Sequence, residues 1–149
     1  MKTRDFYQVS LKAILKDKDG QVLGLKGVED GTFVGFYDLP GGRIDEDEFE
    51  TSYQEILSRE IKEEVGDISF KIHPKPVALG RHRVAPEHSG KLNRELHIIY
   101  IFFEADYLGG EIKISHEHAG YDWFDLNKIS LPEYFKSGIL EGIWMFIGK

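Results

Sequence analysis

The sequence contains no cysteine, which excludes disulfides and thiolate chemistry and agrees with a cytoplasmic location. No run approaches the roughly 18 apolar residues that a membrane span needs, and the opening MKTRDFYQ is not expected to be a signal peptide. Cations are in the minority, 19 Lys and Arg against 26 Asp and Glu for a net charge of -7, which argues against non-specific nucleic-acid binding. The six histidines are scattered, without a zinc-ligand spacing. Internal repeats, low-complexity tracts and linkers are absent as well, so residues 1–149 are expected to form a single domain. Neither a membrane nor a nucleic acid is an expected partner.

What is present is concentrated between Gly42 and Gly66, GRIDEDEFETSYQEILSREIKEEVG. Its second half, Ser52 to Val65, lacks Gly and Pro and sets Tyr53, Ile56, Leu57, Ile61 and Val65 at steps of three and four, the pattern of one helix with an apolar stripe. Gly66 supplies the stop. On that helix Glu60, Glu63 and Glu64 stand at i, i+3 and i+4, so their carboxylates repel one another. A hard dication that takes oxygen ligands turns that repulsion into binding free energy. Acidic helix faces are also common on solvated surfaces, so the triplet alone does not decide. The segment before it adds weight: Leu39-Pro40-Gly41-Gly42 reads as a strand end entering a glycine turn where backbone can approach a ligand closely.

These residues resemble the Nudix hydrolase family, whose box has the form G-x5-E-x7-R-E-U-x-E-E-x-G-U, with U a bulky aliphatic residue. Gly42 and Glu48 match the opening of the box, and Arg59-Glu60-Ile61-Lys62-Glu63-Glu64-Val65-Gly66 the close. Two departures stand out. Ten residues rather than seven separate Glu48 from Arg59, and Asp67 takes the place of the final aliphatic residue. In the family the first Glu of the box braces the Arg. A continuous helix would put Glu48 about 16 Å from Arg59 along its axis, so the three extra residues are expected to lengthen the loop, with either Glu48 or Glu50 folding back.

Along the chain, Tyr7–Leu15 and Gln21–Lys26 read as a strand pair around the turn Asp17-Lys18-Asp19-Gly20. Gly27–Gly35 reads as a loop, and Phe36–Leu39 as a short strand whose Tyr37 can stack on a nucleobase or pack the core. Ile68–Ile72 and Val77–Val84 look extended around an irregular joint, His73-Pro74-Lys75-Pro76. Arg81, Arg83 and Arg94 are candidates for diphosphate contact, because guanidinium presents paired donors to phosphate oxygens. Leu96–Ala105 is the most apolar run, a central strand covered on both faces. Glu111–Ser115 alternates like a half-buried strand. Asp125–Ile129 reads as one helical turn, and Leu131–Ile147 as a closing helix with Pro132 in its first turn and Ile139, Ile143 and Trp144 toward the core.

This order of elements implies an α+β sandwich, a mixed sheet between a catalytic helix and a C-terminal helix, as in the Nudix fold. By resemblance, Glu117, shortly before the Trp123 strand, adds a carboxylate to the metal site. The implied activity is hydrolysis of a phosphoanhydride in a nucleoside diphosphate linked to another moiety. Mg²⁺ or Mn²⁺ would be held by Glu60, Glu63, Glu64, Glu117 and the Gly42 carbonyl. Arg59 would orient carboxylates, and Glu60 or Glu117 would serve as general base. The alternative is a catalytically inactive, Nudix-like nucleotide-binding or regulatory domain. The partner is then a small nucleoside diphosphate derivative, bound by a monomer or a homodimer.

Overall fold

The computed structural model describes residues 2–149. Its strands are β1 (Tyr7–Lys16), β2 (Val22–Gly27), β3 (Tyr37–Asp38), β4 (Gly41–Arg43), β5 (Ser69–Val84), β6 (Leu96–Gly109) and β7 (His118–Phe124). The helices are α1 (Tyr53–Val65), α2 (Leu131–Tyr134) and α3 (Ser137–Ile147). The sheet runs β3-β2-β1-β6-β5, with β4 paired to β1 and β7 to β2. It is mixed: β1 and β6 lie parallel, in register from Tyr7 opposite His97 to Lys16 opposite Asp106, and the other pairings are antiparallel.

Alternation along the strands divides the core in two. Leu11, Ala13, Leu15, Phe103 and Ala105 face Ile56, Leu57, Ile61 and Val65 of α1. Ile14, Ile98 and Phe102 face the other way, onto Phe135, Ile139 and Ile143. The chain is therefore an α+β sandwich, as its sequence pattern implies. Each fully buried aliphatic side chain on the α1 stripe contributes roughly 1.5–3 kcal/mol relative to exposure. Ser52 caps that helix by accepting from the Glu55 N–H at 3.2 Å, and Gly66, with φ +94°, ends it. Tyr53 departs from the expected stripe, because in the first turn its ring lies outside the core, 52% exposed.

Other departures have local causes. Ile68–Ile72 and Val77–Val84 fuse into β5, with the prolines absorbed as register shifts between Ile72 and Ala78. Glu111–Ser115 is not a strand. Its Lys113 and Ser115 N–H groups donate instead to the Val65 and Glu64 carbonyls, which a helix end leaves unpaired. Asp125–Ile129 is a turn with the Asn127 N–H on the Asp125 side chain, rather than a helical turn.

The closing helix is also interrupted. Phe135 and Lys136 are extended, which drives the Phe135 ring into the core beside Phe124 and resets the axis for α3. On the reset axis Trp144 faces outward instead of into the core. Gly138 seats α3 against β5: a Cβ there would lie 2.5 Å from the Arg81 carbonyl oxygen.

Candidate active site

Gly41 and Gly42 bring backbone and carboxylate together where β4 meets α1. Gly41 has φ +149°, and a Cβ on it would lie 1.9 Å from the Leu11 carbonyl oxygen, so the pairing of β4 with β1 requires glycine. Its N–H donates to Glu64 Oε1 at 2.7 Å. A Cβ on Gly42 would stand 2.5 Å from the Glu60 carboxyl carbon, so that backbone lies directly against the Glu60 side chain. Glu64 is only 6% exposed, and its second oxygen meets His118 Nε2 at 2.7 Å. Glu64, Glu117 and His118 offer ligand atoms that all lie within 4.8 Å of one another.

The electrostatics follow from this crowding. Burial raises the pKa of Glu60 and the neighbouring Glu63 and Glu64 charges push it further, against the opposing pull of Arg59 and Lys12. Glu63 is 57% exposed on its side chain and meets Arg59 Nη1 at 3.2 Å. Arg59 also reaches Glu60 at 3.3 Å and Glu48 at 2.8 Å. Glu48 is thus the residue that folds back across the insertion. A 3₁₀ turn over Glu46–Glu48 aims it, with Glu48 Oε1 accepting from the Asp45 N–H at 2.8 Å. That bond, more than the Arg59 contact, holds the Glu48 carboxyl below its usual range.

Glu60, Gly42 and Glu117 line a cavity of about 550 Å³. Its floor is a buried ion pair, Lys12 Nζ to Asp38 Oδ1 at 3.0 Å, with the Lys12 cation 5.4 Å from the Tyr100 ring centre. His82 stacks between Phe33 and Tyr100, its ring centre 5.9 and 6.0 Å from theirs, and its Nδ1 lies 2.9 Å from Ser137 Oγ. Burial holds the His82 pKa below the ordinary imidazole value and raises that of Tyr100.

The family model for the NUDIX domain matches residues 6–141. The chain belongs to the Nudix family. Among curated relatives, it is 33% identical over 113 residues to an ADP-ribose pyrophosphatase of Methanocaldococcus jannaschii, a match covering 76% of this chain and 59% of that one. It is also 29% identical over 135 residues to the nucleoside triphosphatase NudI of Escherichia coli, covering 85% and 94% of the two chains. Among solved structures, the MutT protein of Methanosarcina mazei is similar with a TM-score of 0.64 at 28% identity, over 85% and 83% of the two chains. A Nudix hydrolase of Nitrosomonas europaea shares the fold, with a TM-score of 0.67 at 18% identity over 96% and 72%.

Within this Nudix domain the box carboxylates part company. Glu60 faces the cavity, Glu64 is buried beside Glu117 and His118, and Glu63 turns to Arg59. The three arginines singled out in the sequence lie elsewhere. Arg81 sits in a separate depression beside Tyr7 and Glu141, Arg83 pairs with Glu95 at 3.3 Å, and Arg94 is exposed. Strand alternation explains this, since Arg81 and Arg83 share one face of β5 while His82 and Val84 share the face that lines the cavity. Read in steps of two from Gly80, the sequence holds that signal. Tyr37 is also turned aside, its hydroxyl donating to Asp122 and its ring edge-on to Phe124, and its pKa is raised to about 12 by burial and then by Asp122. Lys12 and Arg43, neither conspicuous in the sequence, line the cavity instead.

The donor chemistry fits a divalent cation. The carboxylates are hard oxygen ligands, and Glu64 retains lone pairs beyond those used by Gly41 and His118.

Proposed function

We propose that the chain hydrolyses the phosphoanhydride of a nucleoside diphosphate linked to another moiety. The observation that carries this reading is the meeting of Glu60, Glu117 and the Gly42 backbone on one cavity, with Glu64 anchored behind them. The names of the two curated relatives, one an ADP-ribose pyrophosphatase and the other a nucleoside triphosphatase, support cleavage of nucleotide pyrophosphate bonds.

Glu60, Glu63, Glu64, Glu117 and the Gly42 carbonyl are the proposed ligands for Mg²⁺ or Mn²⁺. When bound, the cation supplies Lewis acidity toward the phosphoryl oxygens and lowers the pKa of water. The residues of the chain do the positioning. The Gly41 N–H and His118 fix the Glu64 carboxylate in one orientation. Arg59, locked by Glu48, bridges Glu60 and Glu63 through one guanidinium nitrogen and so offsets their mutual repulsion, and it stays charged throughout. Arg43 is the cavity-wall cation that offsets the charge of a diphosphate, since Lys12 is already paired with Asp38. Water adds to one phosphorus, the bridging oxygen leaves with the other phosphate, and the water proton passes to Glu60 or Glu117. Two phosphorylated products result.

The test is product identification after incubation with ADP-ribose, ATP and a dinucleoside polyphosphate, with and without Mg²⁺. A domain that only binds nucleotides would leave all three intact.

A further inference from the structure

The lengthened segment between Glu48 and Arg59 contributes Phe49, Thr51, Tyr53 and Ile56 to a second compartment beside the first. Its most exposed member is Phe49, whose ring is 91% in solvent. Phe49 nevertheless sits on a stiff loop. Immediately before it, Glu48 is tied by its carboxylate to the Asp45 N–H and to Arg59, each at 2.8 Å. After it, the Thr51 N–H donates to the Glu48 carbonyl at 2.9 Å, and Ser52 caps α1. A ring so exposed gains almost nothing from folding, whereas aromatic area presented on a hydrogen-bonded loop is an efficient contact for a ligand.

Phe49 and Tyr53, with Tyr7 at 41% exposure, stand around a groove of about 760 Å³ floored by Ile56 and Ile101. Arg43 and Asp45 line this groove and also the cavity that holds Glu60, so the two compartments meet at a cation and a neighbouring carboxylate. The rest of the rim, Glu46 and Glu48, is acidic. Such a rim repels the free end of a polyphosphate and accepts hydrogen bonds from amines and hydroxyls.

We infer that the groove receives the second nucleoside of the substrate, its base stacked on Phe49 and Tyr53, while Arg43 contacts the bridging phosphates. The preferred substrate class is then a dinucleoside polyphosphate rather than a nucleoside triphosphate. This inference rests on the proposed hydrolase activity and adds its selectivity.

The test is the ratio of kcat/KM for diadenosine triphosphate to that for ATP, with Mg²⁺. Wild type is expected to favour the dinucleotide. Phe49→Ala should lower the ratio roughly tenfold, within the range of one base–aromatic stack, through KM rather than kcat. Phe49→Tyr should retain it. An unchanged ratio in both Phe49→Ala and Tyr53→Ala would overturn the inference. So would an unchanged ratio accompanied by conversion of a dimer to a monomer, which would make the groove an interface between copies. If wild type released phosphorylated products from neither compound nor from ADP-ribose, the hydrolase reading itself would fall, and this one with it.

Discussion

Glu64 and Glu63 occupy adjacent positions in the chain but different surroundings, one buried against Gly41 and His118 and the other exposed on Arg59. Both belong to the proposed ligand set, and removing either charge should abolish Mg²⁺-dependent turnover while leaving circular dichroism unchanged. Wild-type-like rates in both Glu63→Gln and Glu64→Gln would refute the assignment. Gly42→Ala should likewise lower turnover by displacing Glu60, since nothing else lies as close to the added methyl. His82 offers a test by pH. Burial lowers its folded pKa below 6.5, so below pH 6.5 the unfolded chain binds more protons there than the folded one, and the His82 contribution to stability falls as the pH drops through that window. An NMR titration of the His82 ring should place its midpoint below 6.5, and a midpoint above that would contradict the burial argument. None of this chemistry at His82 was legible from residue types, because the arginines on either side of it drew attention to the opposite face of β5.

At the scale of elements, α1 was the most readable part of the sequence. Its apolar period from Ile56 to Val65, its Ser52 start and its Gly66 stop all recur in the structure, because that stripe faces one continuous core. Ile61, fully buried there, should cost roughly 2–5 kcal/mol when cut to Ala, measured as a shift in the urea midpoint at constant slope. A loss below about 1 kcal/mol would mean that the α1 interface is looser than its burial implies. The C-terminal segment was less legible. An apolar period continues across Phe135, and no local signal announces that this ring must leave the helix to fill space beside Phe124. Gly138 and Gly142, which weaken the helix pattern, answer to that same packing. Their absent side chains admit the Arg81 carbonyl and the Phe102 ring respectively, a constraint set by elements distant in sequence. Glu111–Ser115 has the alternation of a strand but lies along the end of α1 rather than beside another strand, and pattern alone does not reveal a partner.

For the molecule as a whole, the mixed sheet places the glycine bend, the acidic helix and the loop before β7 at one cavity, although Gly42 and Glu117 are far apart in sequence. The box motif made the first two parts recognisable, and the family resemblance supplied Glu117. The cavity walls, contributed by alternate residues of β1, β5 and β6, emerged only with the strand register. Among the described residues no helix is long and apolar enough to cross a membrane. The most direct test of the proposed activity is the Mg²⁺-dependent release of phosphorylated products from ADP-ribose, measured for wild type and for Glu64→Gln side by side. The account predicts release by wild type only when Mg²⁺ is present, and a loss of roughly a hundredfold or more in the variant. Equal rates in the two proteins, or a wild-type rate indifferent to Mg²⁺, would contradict it.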